Sequence, residues 1–187
     1  HRLGNRAVIE SLVDRIRTRI HGVTFRTAFI VGFPGETDAA FTELRDYVEQ
    51  AEFDRVAVFV YSDEEGTPAA ALEEKVEREV MDERRNAILS IQESIAAAKG
   101  RSKVGSILDV LVDGRSTETE GVLEGRHEGL APEIDGVVYI DENPAPIGRH
   151  PIHPKGSPPA PGDLLKVEIT DAAVFDLVGR IVTDQVC

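Results

Sequence analysis

Arg26-Thr27-Ala28-Phe29-Ile30-Val31-Gly32-Phe33-Pro34-Gly35-Glu36-Thr37 decides how the rest of this 187-residue chain is read. Phe29, Ile30 and Val31 form a short apolar, partly β-branched run of the kind buried on both faces of a parallel sheet, and Gly32 to Gly35 stop it abruptly. Glu36, Thr37 and Asp38 then offer capping oxygens and negative charge to a helix over 37–52, whose apolar residues Phe41, Leu44, Tyr47 and Val48 recur at three- and four-residue spacing. The stretch predicts half of a βαβ unit. Two glycines flanking Phe-Pro let backbone amides approach a ligand without a Cβ in the way, and α/β folds place ligands at the carboxyl ends of parallel strands. The loop is therefore a candidate site; the plainer reading is a turn that needs glycine for its dihedral angles.

Upstream, Val8, Ile9, Leu12, Val13, Ile16 and Ile20 keep helical spacing, with Asn5 as a cap and Arg15, Arg17 and Arg19 where cations suit the helix dipole. Downstream, Phe53-Asp54 turns the chain into Arg55-Val56-Ala57-Val58-Phe59-Val60-Tyr61, a second parallel strand. Residues 62–70, acidic and broken by Gly66 and Pro68, read as a long loop on the same edge as the Gly32 to Gly35 turn, and two loops on one edge strengthen the site. A long helix over 73–98 carries Val76, Val80, Ala87, Ile88, Ile91 and Ile95 as one stripe, with Glu74, Arg78, Arg84, Arg85 and Glu93 left to solvent. Lys99-Gly100 reads as a helix stop and a boundary between 1–100 and 101–187.

Beyond Arg101 the helical period disappears. Residues 107–112, 121–125, 136–140, 164–170 and 174–182 are five short strand candidates, separated by turn signals at Asp113-Gly114, Asp135-Gly136 and Pro161-Gly162. Leu165, Val167 and Ile169 alternate with Lys166, Glu168 and Thr170, the pattern of a half-buried antiparallel strand, and the set predicts a small all-β, OB-like barrel. The proline-rich residues 143–161 read as an extended insertion; His150 and His153 within it lack a third ligand and read as solvated. Cys187, the single cysteine, excludes an intramolecular disulfide and a multi-cysteine metal site in this chain.

A net charge of −13 argues against a surface devoted to nucleic acid or anionic membrane, because binding phosphates needs a basic face. No apolar run approaches the roughly 18 residues of a membrane span, and the start has no apolar core of a signal peptide, so a cytoplasmic location is expected. The first residue is His rather than Met, which suggests a processed or truncated product.

The residues of the opening stretch, Phe53-Asp54-Arg55 leading to Phe59-Val60-Tyr61-Ser62, and Glu64-Glu65-Gly66-Thr67-Pro68-Ala69 resemble the radical-SAM methylthiotransferases. In the second half, Glu124-Gly125-Arg126, Ala131-Pro132-Glu133-Ile134-Asp135-Gly136-Val137-Val138-Tyr139-Ile140 and Phe175-Asp176-Leu177-Val178-Gly179 look like the family's TRAM domain. The match is nearest to the branch that methylthiolates the β-carbon of an aspartate in ribosomal protein S-twelve. It implies an α/β partial radical-SAM (TIM-like) barrel over 1–100, then a TRAM barrel over 101–187, as the C-terminal fragment of an enzyme. The family's two iron-sulfur clusters are held by cysteine motifs that do not occur in this chain, so the fragment alone is expected to be inactive. The resemblance nominates Arg26, Ile30 and Gly32 on the first strand and Phe59 and Tyr61 on the second as contacts to S-adenosylmethionine, although Ala28 stands where the superfamily's Gly-x-Ile-x-Gly pattern has its first glycine. Apolar side chains suit an adenine, and Arg26 could pair with a carboxylate.

From Arg101 to Cys187 there are 8 Lys or Arg against 15 Asp or Glu, a balance of −7, which fits docking onto a basic ribosomal protein better than onto RNA. Two other readings stand beside it: a tRNA methylthiotransferase of the same superfamily, and a non-catalytic module that binds protein through the barrel. An incomplete parallel barrel would also expose a strand edge and invite self-association.

Overall fold

The computed structural model describes residues 6–141 and 158–182. Asn5, Cys187, His150, His153 and most of the proline-rich segment lie outside the described residues. The element order is α1 (Arg6–Arg19), β1 (Arg26–Val31), α2 (Asp38–Ala51), β2 (Arg55–Val60), α3 (Arg78–Ser102), β3 (Ile107–Arg115), β4 (Val122–His127), β5 (Val138–Asp141), β6 (Leu164–Ala172) and β7 (Leu177–Ile181).

In the first half, β1 and β2 pair in parallel, with Arg26 opposite Arg55, Ala28 opposite Ala57 and Ile30 opposite Phe59. The predicted βαβ unit is present. This half holds a two-stranded parallel sheet with three helices, and no further strand joins it among the described residues. Helix α2 starts where the oxygens predicted it: Thr37 is the N-cap and its hydroxyl accepts from the Ala40 amide at 3.2 Å, with Asp38 in the first turn. It ends on Glu52 in the left-handed region at φ 44°, whose amide reaches back to the Val48 carbonyl. No basic residue lies in the last turn of α2, and the charge its dipole calls for comes from elsewhere in the fold. Arg17 of α1 donates to the Ala51 and Glu52 carbonyls, and Lys99 of α3 donates to Glu52 and pairs with Asp54 at 2.8 Å.

Phe53 is the packing centre. Its ring meets Phe25, Phe29 and Tyr47 at centroid distances of 6.3, 6.2 and 5.7 Å, in T-shaped or tilted arrangements, within a cluster that includes Val13 and Ala51. Of the apolar stripe predicted for α1 only Val13 is buried; Ile9, Leu12 and Ile20 stay about half exposed.

Helix α3 departs from the prediction in a telling way. Its buried positions are Met81, Arg84, Ile88, Gln92, Ala96 and Gly100, a true helical stripe, but only Ile88 belongs to the expected set. Arg84, expected in solvent, is 6% exposed and pairs with Glu36 at 2.7 Å and Asp38 at 2.6 Å. Gln92 donates to the Phe53 and Asp54 carbonyls at 3.2 and 3.1 Å. Polar side chains are buried here because each satisfies groups of the neighbouring loop, which an apolar side chain could not do.

The second half is a closed barrel in the order β3-β4-β5-β7-β6. All five predicted strands form. The last begins at Leu177 rather than Val174 because a turn, closed by the Ala173 amide on the Asp176 carbonyl at 2.9 Å, occupies the intervening residues. Every pairing is antiparallel except β5 with β7. Val110, Val112, Leu123, Val138, Ile140, Leu165, Val167 and Ile169 fill the interior, so the alternation read in β6 holds residue by residue. Register shifts at 112/114 and 169/171 bend β3 and β6, as closing so small a barrel requires.

Ile169→Ala, which deletes a side chain 1% exposed at the centre of this core, should lower unfolding free energy by about 2–4 kcal/mol in urea titrations.

Candidate functional site at the edges of the parallel strands

Gly32, Phe33, Pro34 and Gly35 leave β1 as a tight turn. The Glu36 amide bonds the Phe33 carbonyl at 2.8 Å with Pro34 and Gly35 between, and Gly35 has φ +84°, which is a type II turn. Gly32 also has φ +78°, and a Cβ there would lie 2.3 Å from Cγ of Met81. The amides that the sequence suggested for a ligand are taken within the chain: Gly32 N–H donates to the Glu36 carboxylate at 3.0 Å and Gly35 N–H to the Glu74 carbonyl at 2.8 Å. Glu36 in turn holds Arg84. The glycines thus serve turn geometry and close approach to α3, and the plainer of the two sequence readings describes them.

The two loops predicted on one edge do meet. Phe33 and Tyr61 pack edge to face at 5.2 Å, and the Tyr61 hydroxyl donates to Asp63 at 2.8 Å. Lys75 binds Asp63 as well, lies over the Tyr61 ring and donates to the Ala69 and Ala70 carbonyls, which fixes the acidic loop. The hydrogen bonds from Lys75 and Tyr61 push the Asp63 carboxyl below its ordinary value; removal from water, then the Asp63 carboxylate, push the Tyr61 hydroxyl up.

Of the five nominated residues, four share one face by strand parity. Ile30 and Phe59 stand opposite each other, 58% and 59% exposed, and Tyr61 continues the row. They make an open apolar wall next to the loops. Gly32 ends the strand beneath Met81. Arg26 is on the same face but four residues back along β1, roughly 13 Å from Ile30 at strand spacing.

At that amino end the strand pair meets the barrel. Arg26 and Arg55 both bind the carboxylate of Asp135, Arg55 at 3.2 Å. The Asp135 side chain is 2% exposed and also accepts the Ala131 amide at 2.8 Å. The Arg55 guanidinium lies 5.9 Å from the centre of the Phe175 ring. Asp135, read in the sequence as a turn residue, is therefore the ion partner that joins the halves. Close by, the Gly129 amide donates to Nδ1 of His127 at 3.0 Å, and burial, with Lys103 and Arg55 in support, holds this imidazole below its ordinary pKa. Glu36, Arg55, Arg84, Gln92 and Asp135 were not singled out as site residues by the sequence. The one available signal was Arg26 and Arg55 at matching strand starts.

With the barrel described, its kinship is decided by a match of residues 104–182 to the TRAM domain family. Residues 104–182 are a TRAM domain. The likeness extends beyond it to nearly the whole chain, in agreement with a C-terminal portion of a longer protein. "Ribosomal protein uS12 methylthiotransferase RimO" of Anaeromyxobacter sp. (strain K) is 46% identical over 93% of this chain, and 34% of that relative is covered. The proteins of the same name from Sorangium cellulosum (strain So ce56) and Myxococcus xanthus (strain DK1622) are 44% and 40% identical over 95% of the chain, with 33% and 34% of each covered. The chain thus spans about a third of the length of these curated relatives. Among the described residues no helix is long and apolar enough to cross a membrane, and no group of three or more His, Cys, Asp or Glu could hold a metal ion.

Asp135→Asn should destabilise the chain by about 2 kcal/mol in urea unfolding, less than at a wholly buried pair because Arg26 can turn to water. Loss below about 0.5 kcal/mol would mean the arginines do not need the carboxylate. For His127 the neutral form is favoured by the fold, so stability is complete above the ordinary value of 6.5 and declines as pH falls through it. Melting temperatures measured downward from neutral pH should drop faster for the parent chain than for His127→Asn, which keeps an acceptor for Gly129 but does not titrate.

Proposed function

We propose that this chain is the C-terminal part of a methylthiotransferase acting on ribosomal protein uS12, and that its location is cytoplasmic. The observation that carries the reading is identity of 40–46% running through both halves of the chain, and not only through the TRAM domain. In this reading residues 1–100 are the last part of a radical-SAM, TIM-like barrel and residues 101–187 the TRAM domain. The exposed face of β1 and β2 would then look into the barrel's interior.

Ile30, Phe59 and Tyr61 would form the apolar side of an S-adenosylmethionine pocket at the carboxyl edge, where their exposure suits the flat face of an adenine. Gly32 would shape the end of the strand rather than donate its amide, which Glu36 holds. Arg26 would need to leave Asp135 to reach a carboxylate, and its place at the other end of β1 makes it the weakest of the five. When bound in the whole enzyme, S-adenosylmethionine supplies both the radical and the methyl group. The chain's single cysteine does not suit it to ligate an iron-sulfur cluster, so the two clusters of such an enzyme would be held outside this chain and the chain alone would be inactive. The chain's own share is to wall the cofactor, fix the acidic loop beside it and present an acidic TRAM domain to the basic protein uS12.

The test is a chimera in which this chain replaces the matching third of the Anaeromyxobacter relative, produced in bacteria lacking their own uS12 methylthiotransferase. Mass spectrometry of uS12 should find one methylthio group on an aspartate. Unmodified uS12, in cells where the intact relative modifies it, would reject the proposal, and methylthio nucleosides in tRNA would favour the tRNA-modifying alternative.

A further inference from the structure

Arg84 is a buried cation whose hydrogen-bond partners all lie at one turn. Its Nη1 donates to Glu36 Oε1 at 2.7 Å and to the Glu36 carbonyl at 3.2 Å, and its Nη2 to Asp38 Oδ1 at 2.6 Å. The guanidinium also lies 5.3 Å from the centre of the Phe41 ring. The same Glu36 Oε1 accepts the Gly32 amide at 3.0 Å, and the Glu36 side chain, like that of Arg84, is largely removed from water. Every group of this network belongs to α3, to α2 or to the turn that leaves β1.

Stability alone does not call for such a pair. Removing water from both charges offsets much of their attraction, and an apolar pair of the same size often packs as stably. What the ion pair adds is direction. The planar guanidinium fixes where Glu36 Oε1 stands, and Oε1 fixes where the Gly32 amide points. The turn needs that direction because Gly32 and Gly35, at φ +78° and +84°, are free to leave these conformations for others. Phe33 sits on the turn with its ring against Tyr61 at 5.2 Å, so the line of contact runs from Arg84 through Glu36, Gly32 and Phe33 to Tyr61.

We propose that Arg84 is a positioning residue for the cofactor wall: through Glu36 it sets the turn after β1 and so holds Phe33 and Tyr61 where they receive an adenosyl group. Arg84 acts from behind the turn and does not touch the cofactor. The inference rests on the reading that Ile30, Phe59 and Tyr61 wall an S-adenosylmethionine pocket.

The test is the double variant Arg84→Met with Glu36→Gln, which removes both charges together and leaves no buried carboxylate unpaired. In the 187-residue chain its melting temperature should change little, while amide hydrogen exchange at Gly32 and Gly35 quickens by about tenfold or more. In the chimera with the Anaeromyxobacter relative, equilibrium dialysis of S-adenosylhomocysteine, which lacks the reactive sulfonium, should show binding weakened by about tenfold or more. Arg84→Lys, which keeps a cation on Glu36 but not the planar fork, should recover part of that loss. Unchanged affinity in the double variant, or Arg84→Lys binding no better than it, would overturn the proposal and leave Arg84 a packing residue. Weaker binding in step with a lower melting temperature, and with exchange quickened throughout the chain rather than at the turn, would overturn it as well. A chimera without substitutions that binds no S-adenosylhomocysteine would reject the reading of the wall and this inference with it; one that binds, with the variants unaltered, would reject the inference alone.

Discussion

One carboxylate shared by two guanidiniums holds the two halves of this molecule in register. Asp135 is buried, so its attraction for Arg26 and Arg55 is screened less than that between surface charges. Its backbone is bound as tightly as its side chain, the amide to the Ala131 carbonyl and a carboxylate oxygen to the Ala131 amide. The loop between β4 and β5 is thereby made rigid where it meets the strands. Because both arginines begin their strands, the TRAM domain sits at the amino end of the parallel pair, and the loops of the candidate site sit at the other. The loops of the candidate site and the barrel are therefore at opposite ends of the same two strands.

Helix α3 supplies the second connection. It is a ruler laid along the fold: Arg84 fastens the Gly32 turn through Glu36, Gln92 fastens the turn before β2, and Gly100 faces the barrel where an added Cβ would lie 3.3 Å from that of Ala172. Each buried polar residue on it answers an unsatisfied group elsewhere, which is why the helix tolerates them. The end of α2 is treated likewise, with cations arriving from α1 and α3 rather than from its own sequence.

How much of this was legible in the sequence follows from what periodicity can report. The βαβ order, the cap at Thr37 and the five barrel strands depend on local patterns, and they appear where those patterns put them. The buried stripe of α3 was misplaced because a search for apolar spacing passes over Arg84 and Gln92, whose burial depends on partners 38–48 residues away. Asp135 was read as a turn former because nothing local distinguishes a turn aspartate from one that reaches another domain. Glu36 was taken for a helix-start residue and is one, yet its carboxylate also closes the turn before it. Tertiary partners, not propensities, decided each of these residues.

The strand order of the TRAM barrel carries a consequence for synthesis. β7 is last in sequence among the strands but lies between β5 and β6, so both of its seams join strands made earlier. Until Leu177 to Ile181 have left the ribosome, the inner sides of Val138, Ile140, Val167 and Ile169 have no wall, and the nascent domain must hold an apolar trough open to the cell. A nonsense mutation a few codons before Leu177 would thus remove the closing strand and make a sticky chain, of the kind that chaperones and proteases remove.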